Sequence, residues 1–397
     1  MSRFLFVVPP LAGHVNPTLA VGRELAARGH DVAWAGPREV VADLLPAGAR
    51  LLPAGEPLPA GVLAVTRGEI DHLRGTAAVK HLVGEFLVPL NESMLPGVRA
   101  AVDAFAPDAV VVDQQALAGV AVAEARGLPW ATSASTSATL DDSLAALPRL
   151  KEWADGLQRD FLVGAGLDAA AVATMDIRFS PHLVLVFSTE AFVGRSGFPD
   201  HYAFVGPSIG ERGADTAFDW GWLPGPDDPT PVVLVSLGTL NAHNGAPFFR
   251  KAAAALGALD VRGVIVAPPD LVDEPAPNVR VVPRVPQLDL LAHVDAVVCH
   301  GGHNTVCEAL AHGIPLVVAP IRDDQPVIAD QVVAAGAGIR VKFGRVTADG
   351  LREAVERALR DPDLRRGAAR MRDSFAAAGG PAAAADRLER LPVLAHR

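Results

Sequence analysis

Two groups of residues carry side chains and spacings suited to chemistry. One is His14, set in Gly13-His14-Val15-Asn16-Pro17 shortly after the apolar run Phe4 to Val8. The other runs from His300 to Gln325. It reads His300-Gly301-Gly302-His303-Asn304-Thr305, then Glu308, then Arg322-Asp323-Asp324-Gln325. Glycines let a backbone approach a ligand closely, and the N–H groups at a helix start attract an anion. Asn304 and Thr305 add short hydrogen-bond donors, and His300 has the reach to meet a phosphate oxygen. Glu308, one turn further on, could accept from a ribose diol, as a carboxylate does in dinucleotide-binding folds. Asp324 and Gln325 could accept from sugar hydroxyls. The chemistry suited to this stretch is binding of a phosphate. A lone Gly-Gly also serves as a plain strand-to-helix turn, and Asp323-Asp324 also reads as a solvated loop. The combination is far more specific than its parts.

The elements that must position these residues are legible around them. Ala296 to Cys299 has the length and β-branched content of a buried strand. Asn304 to His312 reads as a helix, with Val306, Ala309 and Leu310 on one face and Gly313 and Pro315 as stop signals. Leu316 to Ala319 is the next strand, and it delivers the polar loop that ends at Gln325. At the other end of the chain, Phe4 to Val8 is a strand. Asn16-Pro17 reads as an N-cap and first helical residue, opening a helix from Thr18 to Arg28. Strand Val32 to Ala35 completes a βαβ opening and predicts a parallel sheet.

His14 then sits in a loop at a strand's carboxyl end, where open α/β sheets bind ligands. Most loop histidines are simply solvated, but this setting makes it a candidate general base. Ala109 to Val112 is a further buried strand, and it ends on Asp113. Taken alone, Asp113 fits a cap or turn equally well. Beside His14, a carboxylate on the far ring nitrogen fixes the tautomer and stabilises the imidazolium formed during proton transfer.

The stretch His300 to Gln325 resembles the signature of family 1 glycosyltransferases, nucleotide-sugar-dependent enzymes of the GT-B fold. It is most similar to the actinobacterial natural-product enzymes of the macrolide-glycosyltransferase type. The plant branch has His-Cys-Gly-Trp-Asn-Ser where this chain has His300-Gly301-Gly302-His303-Asn304-Thr305, and both continue with a glutamate and an Asp-Gln pair. Gly13 to Pro17 resembles the family's N-terminal motif, whose histidine deprotonates the acceptor hydroxyl, and Asp113 matches its aspartate partner. Arg284-Val285-Pro286-Gln287 resembles the Trp-x-Pro-Gln element that holds the nucleotide base. Here Arg284 replaces the tryptophan, and uridine versus thymidine stays undecided. Leu237-Gly238-Thr239 supplies a turn whose N–H groups could meet a diphosphate.

The resemblance implies two Rossmann-like parallel-sheet α/β domains facing across a cleft. Residues 1–207 would bind the acceptor, 208–230 form a linker, and 231–380 bind the nucleotide sugar. Residues 381–397 would form a helix returning to the first domain. It also implies an inverting, metal-independent transfer from a UDP- or dTDP-sugar to a hydroxyl of a small lipophilic molecule. The nucleotide sugar is a co-substrate, and no further cofactor is expected. Met94, Leu140, Leu144, Leu147, Trp153, Phe161 and Leu162 either line the acceptor pocket or form ordinary core. Ser133, Ser135, Thr136 and Ser137 follow the strand-like Pro129 to Ala131 and could reach the cleft.

Composition narrows the classes. The chain has 397 residues, half of them hydrophobic and 20% charged. That is enough for roughly two or three domains of about 150 residues. A formal net charge of -10 without a basic stripe argues against a nucleic-acid partner. Cys299 and Cys307 form no CxxC pair and fit a reduced, cytoplasmic protein. One belongs to a buried strand and one to a helix, so a zinc site with His300 and His303 is disfavoured. Phe4 to Val8 is too short for a signal peptide, and no run reaches the roughly 20 apolar residues of a membrane span. A homodimer stays open. Two rival functions remain at this point: a catalytically silent nucleotide-sugar binder, and a nucleotide-sugar epimerase or cell-wall sugar transferase on the same fold.

Overall fold

The computed structural model describes residues 1–66, 73, 75–142, 144–210, 217–238 and 245–391. The chain divides into two compact units. The first comprises Met1–Phe187, Gly197–Gly213 and Ala378–Arg397, and the second Ser188–Ser196 and Ala214–Ala377. Each unit is one parallel sheet with helices packed on it, as alternating short apolar runs and helical stretches demand.

In the first unit the strands are β1 (Arg3–Val7), β2 (Asp31–Gly36), β3 (Arg50–Pro53), β4 (Ala109–Asp113), β5 (Trp130–Ala134), β6 (Leu183–Val186) and β7 (Tyr202–Phe204). They pair in the order β3-β2-β1-β4-β5-β6-β7, all parallel. The central strands read as unbroken apolar runs because both faces are covered. Leu5, Val7, Val110 and Val112 face the helices Val88–Phe105, Leu117–Arg126 and Pro148–Gly164. Phe4, Phe6, Ala109 and Val111 face the helices Ala12–Ala27 and Gly380–Leu388.

The first helix departs from the sequence expectation. It begins at Ala12, not Thr18, and Pro17 lies inside it. Proline's fixed φ suits a helix, and the N–H it lacks would have bonded the carbonyl of Gly13. The cost is therefore confined to one bond near the start. Trp34 of β2 fixes how this helix sits. Its ring lies against Gly22, where a Cβ would come within 2.5 Å of it. Its Nε1 donates to Thr18 Oγ1 at 2.9 Å, and that hydroxyl donates to the Val15 carbonyl at 2.7 Å. The first turn, with His14, is thereby held at the carboxyl end of β1. The C-terminal helix is tied to the far end of this first helix: Arg28 donates to Asp386 at 2.6 Å and to the Ala382 carbonyl at 3.1 Å.

In the second unit the strands are β8 (Val232–Ser236), β9 (Arg262–Val266), β10 (Val279–Val282), β11 (Ala296–Cys299), β12 (Leu316–Val318) and β13 (Gly338–Arg340). Their order is β10-β9-β8-β11-β12-β13, again all parallel. Phe248, Phe249, Leu256, Leu351 and Val355, from the helices Ala246–Gly257 and Ala348–Arg360, cover one face. Trp222 lies beneath two guanidinium groups, Arg280 at 4.8 Å and Arg262 at 5.6 Å from its ring centre. Among the described residues no helix is long and apolar enough to cross a membrane.

In both sheets the strand order reverses once near the middle, between β1 and β4 in the first and between β8 and β11 in the second. Open parallel sheets bind ligands beyond the strand ends at such a reversal.

Candidate active site

At the reversal in the first unit stand His14 and Asp113. His14 is the third residue of its helix, and Asp113 ends β4. The ring nitrogen Nδ1 lies 2.9 Å from Asp113 Oδ1 and 3.0 Å from Oδ2. Asp113 is buried, and the backbone N–H of Gln115 donates to its Oδ1 at 2.9 Å. An ionised carboxylate can only accept, so the imidazole proton sits on Nδ1 and Nε2 is the basic nitrogen. The start of a helix disfavours a positive charge, and Asp113 offsets that when the ring takes up a proton. The His14 side chain is 16% exposed, so the ring is reachable from solvent. Such a pair can do general-base work.

Two further residues complete this arrangement. Ser135, just after β5, places Oγ 2.8 Å from His14 Nδ1. Asn91 is fully buried and braces the turn that follows Asp113. Its Nδ2 donates to the carbonyls of Leu87 and Gln115, and its Oδ1 accepts from the Ala118 N–H. Asn91 lies inside a helix far along the chain, so spacing offered no sign of it.

At the reversal in the second unit, His300 follows β11 and its ring is packed between two glycines. A Cβ at Gly238 would lie 2.9 Å from His300 Cε1, and one at Gly302 would lie 2.6 Å from Nε2. Gly238 and Gly301 have φ of 71° and 91°, a region open chiefly to glycine. Burial pushes the His300 imidazole down to about 4, against a smaller upward pull from Asp324 and from the backbone of Ser236. The ring is therefore neutral near pH 7, and its buried Nδ1 has no hydrogen-bond partner among the described residues. The helix His303–Ala311 starts from Gly302, which brings no capping side chain. Asn304 and Thr305 are half-buried in its first turn.

Glu308 is buried and accepts from Gln287 Nε2 at 2.6 Å. The structure thus joins two residues that lie 21 positions apart. Val285 is half-buried and Arg284 exposed. Gln325 differs from expectation. Its side-chain oxygen accepts from the backbone N–H groups of Ile321 at 2.8 Å and Arg322 at 3.1 Å. Both lone pairs are taken, so toward a sugar it offers its NH₂ as a donor instead of an acceptor. Asp324 precedes the helix Gln325–Ala334 without capping it. Thr239 lies outside the described residues.

His303 turns into the interior, with Nε2 3.5 Å from Cys307 Sγ and its ring 6.4 Å from that of Phe192. Burial pushes the Cys299 thiol up to about 12 and the Cys307 thiol higher still. Among the described residues, no group of three or more His, Cys, Asp or Glu is placed to hold a metal ion. Of the apolar candidates, Met94, Phe161 and Leu162 belong to the core, Leu140 is buried, and Leu147 and Trp153 are exposed. A cavity of about 790 Å³, lined by Glu124, Met175, Phe179 and Tyr202 among others, lies at the amino ends of β5 to β7, away from His14.

Residues 251–391 match the family model described as the C-terminal domain of erythromycin biosynthesis protein CIII-like proteins. The chain is 31% identical to 4'-demethylrebeccamycin synthase of Lentzea aerocolonigenes, over 98% of this chain and 99% of that protein. It is 32% identical to demethyllactenocin mycarosyltransferase of Streptomyces fradiae, over 98% of this chain and 87% of that protein. A solved structure of spinosyn rhamnosyltransferase complexed with thymidine diphosphate superposes with a TM-score of 0.76 at 25% identity, covering 98% and 100% of the two chains.

Proposed function

Since the chain belongs to the family 1 natural-product glycosyltransferases of the macrolide type, sugar-transferring enzymes of the GT-B fold, we propose a specific reaction for it. It moves a sugar from a UDP- or dTDP-sugar to a hydroxyl of a small lipophilic acceptor, with inversion and without a metal ion. The observation that carries this reading is the His14–Asp113 pair at 2.9 Å.

His14 Nε2 takes the acceptor's hydroxyl proton as that oxygen attacks the anomeric carbon. The bond from this carbon to the diphosphate breaks, and its electron pair leaves with the nucleoside diphosphate. Asp113 balances the imidazolium left behind. A base of this kind is worth roughly 10²–10⁴-fold in rate. Attack opposite the leaving group inverts the centre, so an α-linked donor gives a β-glycoside.

In the second unit, the helix start at Gly302, neutral His300 and Thr305 suit the diphosphate, and Gly238 makes room for the His300 ring. A helix start aimed at the leaving group stabilises charge there without a cation. Glu308, oriented by Gln287, suits the ribose diol. Asp324 and the Gln325 NH₂ suit the sugar, and an exposed Arg284 guanidinium can lie flat on a pyrimidine. The relative that holds thymidine diphosphate supports the dTDP arm of the donor choice.

The test is a panel of UDP- and dTDP-sugars with lipophilic aglycones, with chelator present, followed by nucleotide release and by the anomeric proton coupling of the product. The expected result is glycoside of inverted configuration from at least one donor. Nucleotide binding without release from any donor would instead mark a sugar-nucleotide binder.

A further inference from the structure

We infer that Ser135 is a positioning residue for His14, an oxygen from a second strand that helps hold the proton on Nδ1 and supports the charge the ring acquires. The inference rests on the reading of His14 as the base. Nδ1 lies 2.9 and 3.0 Å from the Asp113 oxygens and 2.8 Å from Ser135 Oγ. A protonated ring nitrogen has no lone pair to offer, so Ser135 cannot donate to it. The serine oxygen instead accepts a share of the same N–H.

The two acceptors come from neighbouring strands. Asp113 ends β4 and pairs in register with Ser133 of β5, and Ser135 follows two residues later. Its backbone N–H donates to the Ser133 carbonyl at 3.1 Å, and the residue is 3% exposed. A carboxylate alone, meeting Nδ1 with two nearly equidistant oxygens, leaves the ring free to rock between them. A third oxygen from another strand removes that freedom. Asp113 is a charged group that pairs with the ring. Ser135 is neutral, and the first turn of the helix that carries His14 has no acidic residue. When the ring becomes an imidazolium at a helix start, each acceptor on Nδ1–H counts toward its stability.

Ser133 provides the control. It is fully buried in β5, and its Oγ has no hydrogen-bond partner among the described residues. The experiment compares Ser135→Ala, Ser133→Ala, His14→Ala and the Ser135→Ala/His14→Ala double variant of the full chain, with a donor and acceptor that the wild type turns over. Ser135→Ala should lower kcat on the order of 10-fold, as loss of a hydrogen bond to a charged group does. KM for the donor should stay unchanged. The acid limb of the pH–rate profile should move to lower pH, because the imidazolium has lost an acceptor. Ser133→Ala should move neither. In the His14→Ala background, Ser135→Ala should add no further loss, since it acts through that ring.

The inference is overturned if Ser135→Ala keeps the wild-type kcat and acid limb, or if it costs as much without His14 as with it. A His14→Ala enzyme that turns over like the wild type overturns the base reading itself, whatever Ser135 does.

Discussion

What touches a histidine's two nitrogens decides what the ring can do, and this chain sets two histidines in contrasting surroundings. His14 has a buried carboxylate on Nδ1 and a ring edge open to solvent, which suits a group that must gain and lose a proton. His300 is packed between two glycines, and burial holds it at about 4. It can meet an anion as a neutral hydrogen-bond donor, without titrating near neutral pH. Its burial has a consequence for acid stability. The folded value lies below the ordinary value of about 6.5, so between those two limits the unfolded chain binds a proton that the folded chain refuses. Stability is full above pH 6.5 and falls as pH drops toward 4, by up to about 3 kcal/mol from this residue. Calorimetric midpoints between pH 7.5 and 4.5 should therefore fall more steeply for the wild type than for His300→Gln. Parallel slopes would show that the ring is not held neutral by burial.

At the scale of elements, the glycine turns do the placing. Gly302 starts a helix and also makes room for His300, since a Cβ there would meet Nε2 at 2.6 Å. Gly302→Ala should displace the ring and weaken UDP or dTDP binding by at least about tenfold, read by titration calorimetry, as loss of a charge-assisted hydrogen bond implies. An unchanged affinity would detach His300 from the diphosphate. Such turns were open to reading from the sequence because they lie between long, strongly apolar strands. The strands expected at Ala109 to Val112, Ala296 to Cys299 and Leu316 to Ala319 form at Ala109–Asp113, Ala296–Cys299 and Leu316–Val318. The edge strands β3 and β13 did not stand out. One contains a proline, the other has only three residues, and neither carries an apolar run of its own. The start of the first helix was misplaced because Asn16-Pro17 imitates a cap, whereas Trp34 and Thr18 hold a turn that begins at Ala12. The polarity of Gln325 was hidden for a different reason. Its oxygen is used by a loop closing on itself, and that is decided in three dimensions.

At the scale of the molecule, both sheets use the same geometric opportunity. Each places its polar residues where the strand order reverses, with β1 and β4 delivering His14 and Asp113, and β8 and β11 delivering Gly238 and His300. The chain also returns to its beginning. Leu388 and Leu391, near its end, are fully buried in the core that contains Phe4, Phe6 and Leu25. The last helix is therefore a structural part of the first unit. Leu388→Ala should cost about 2–5 kcal/mol in urea unfolding, the usual range for a buried leucine. A loss no larger than that of an exposed leucine would mean the helix is dispensable.

The central claim is that this chain is a transferase whose base is His14. The most direct test is turnover by His14→Ala with a donor and acceptor accepted by the wild type, alongside calorimetric binding of the donor nucleotide. The account predicts that turnover falls by roughly 10²–10⁴-fold while nucleotide affinity is kept, because His14 lies in the first unit and the residues proposed for the nucleotide lie in the second. Turnover equal to the wild type would contradict it.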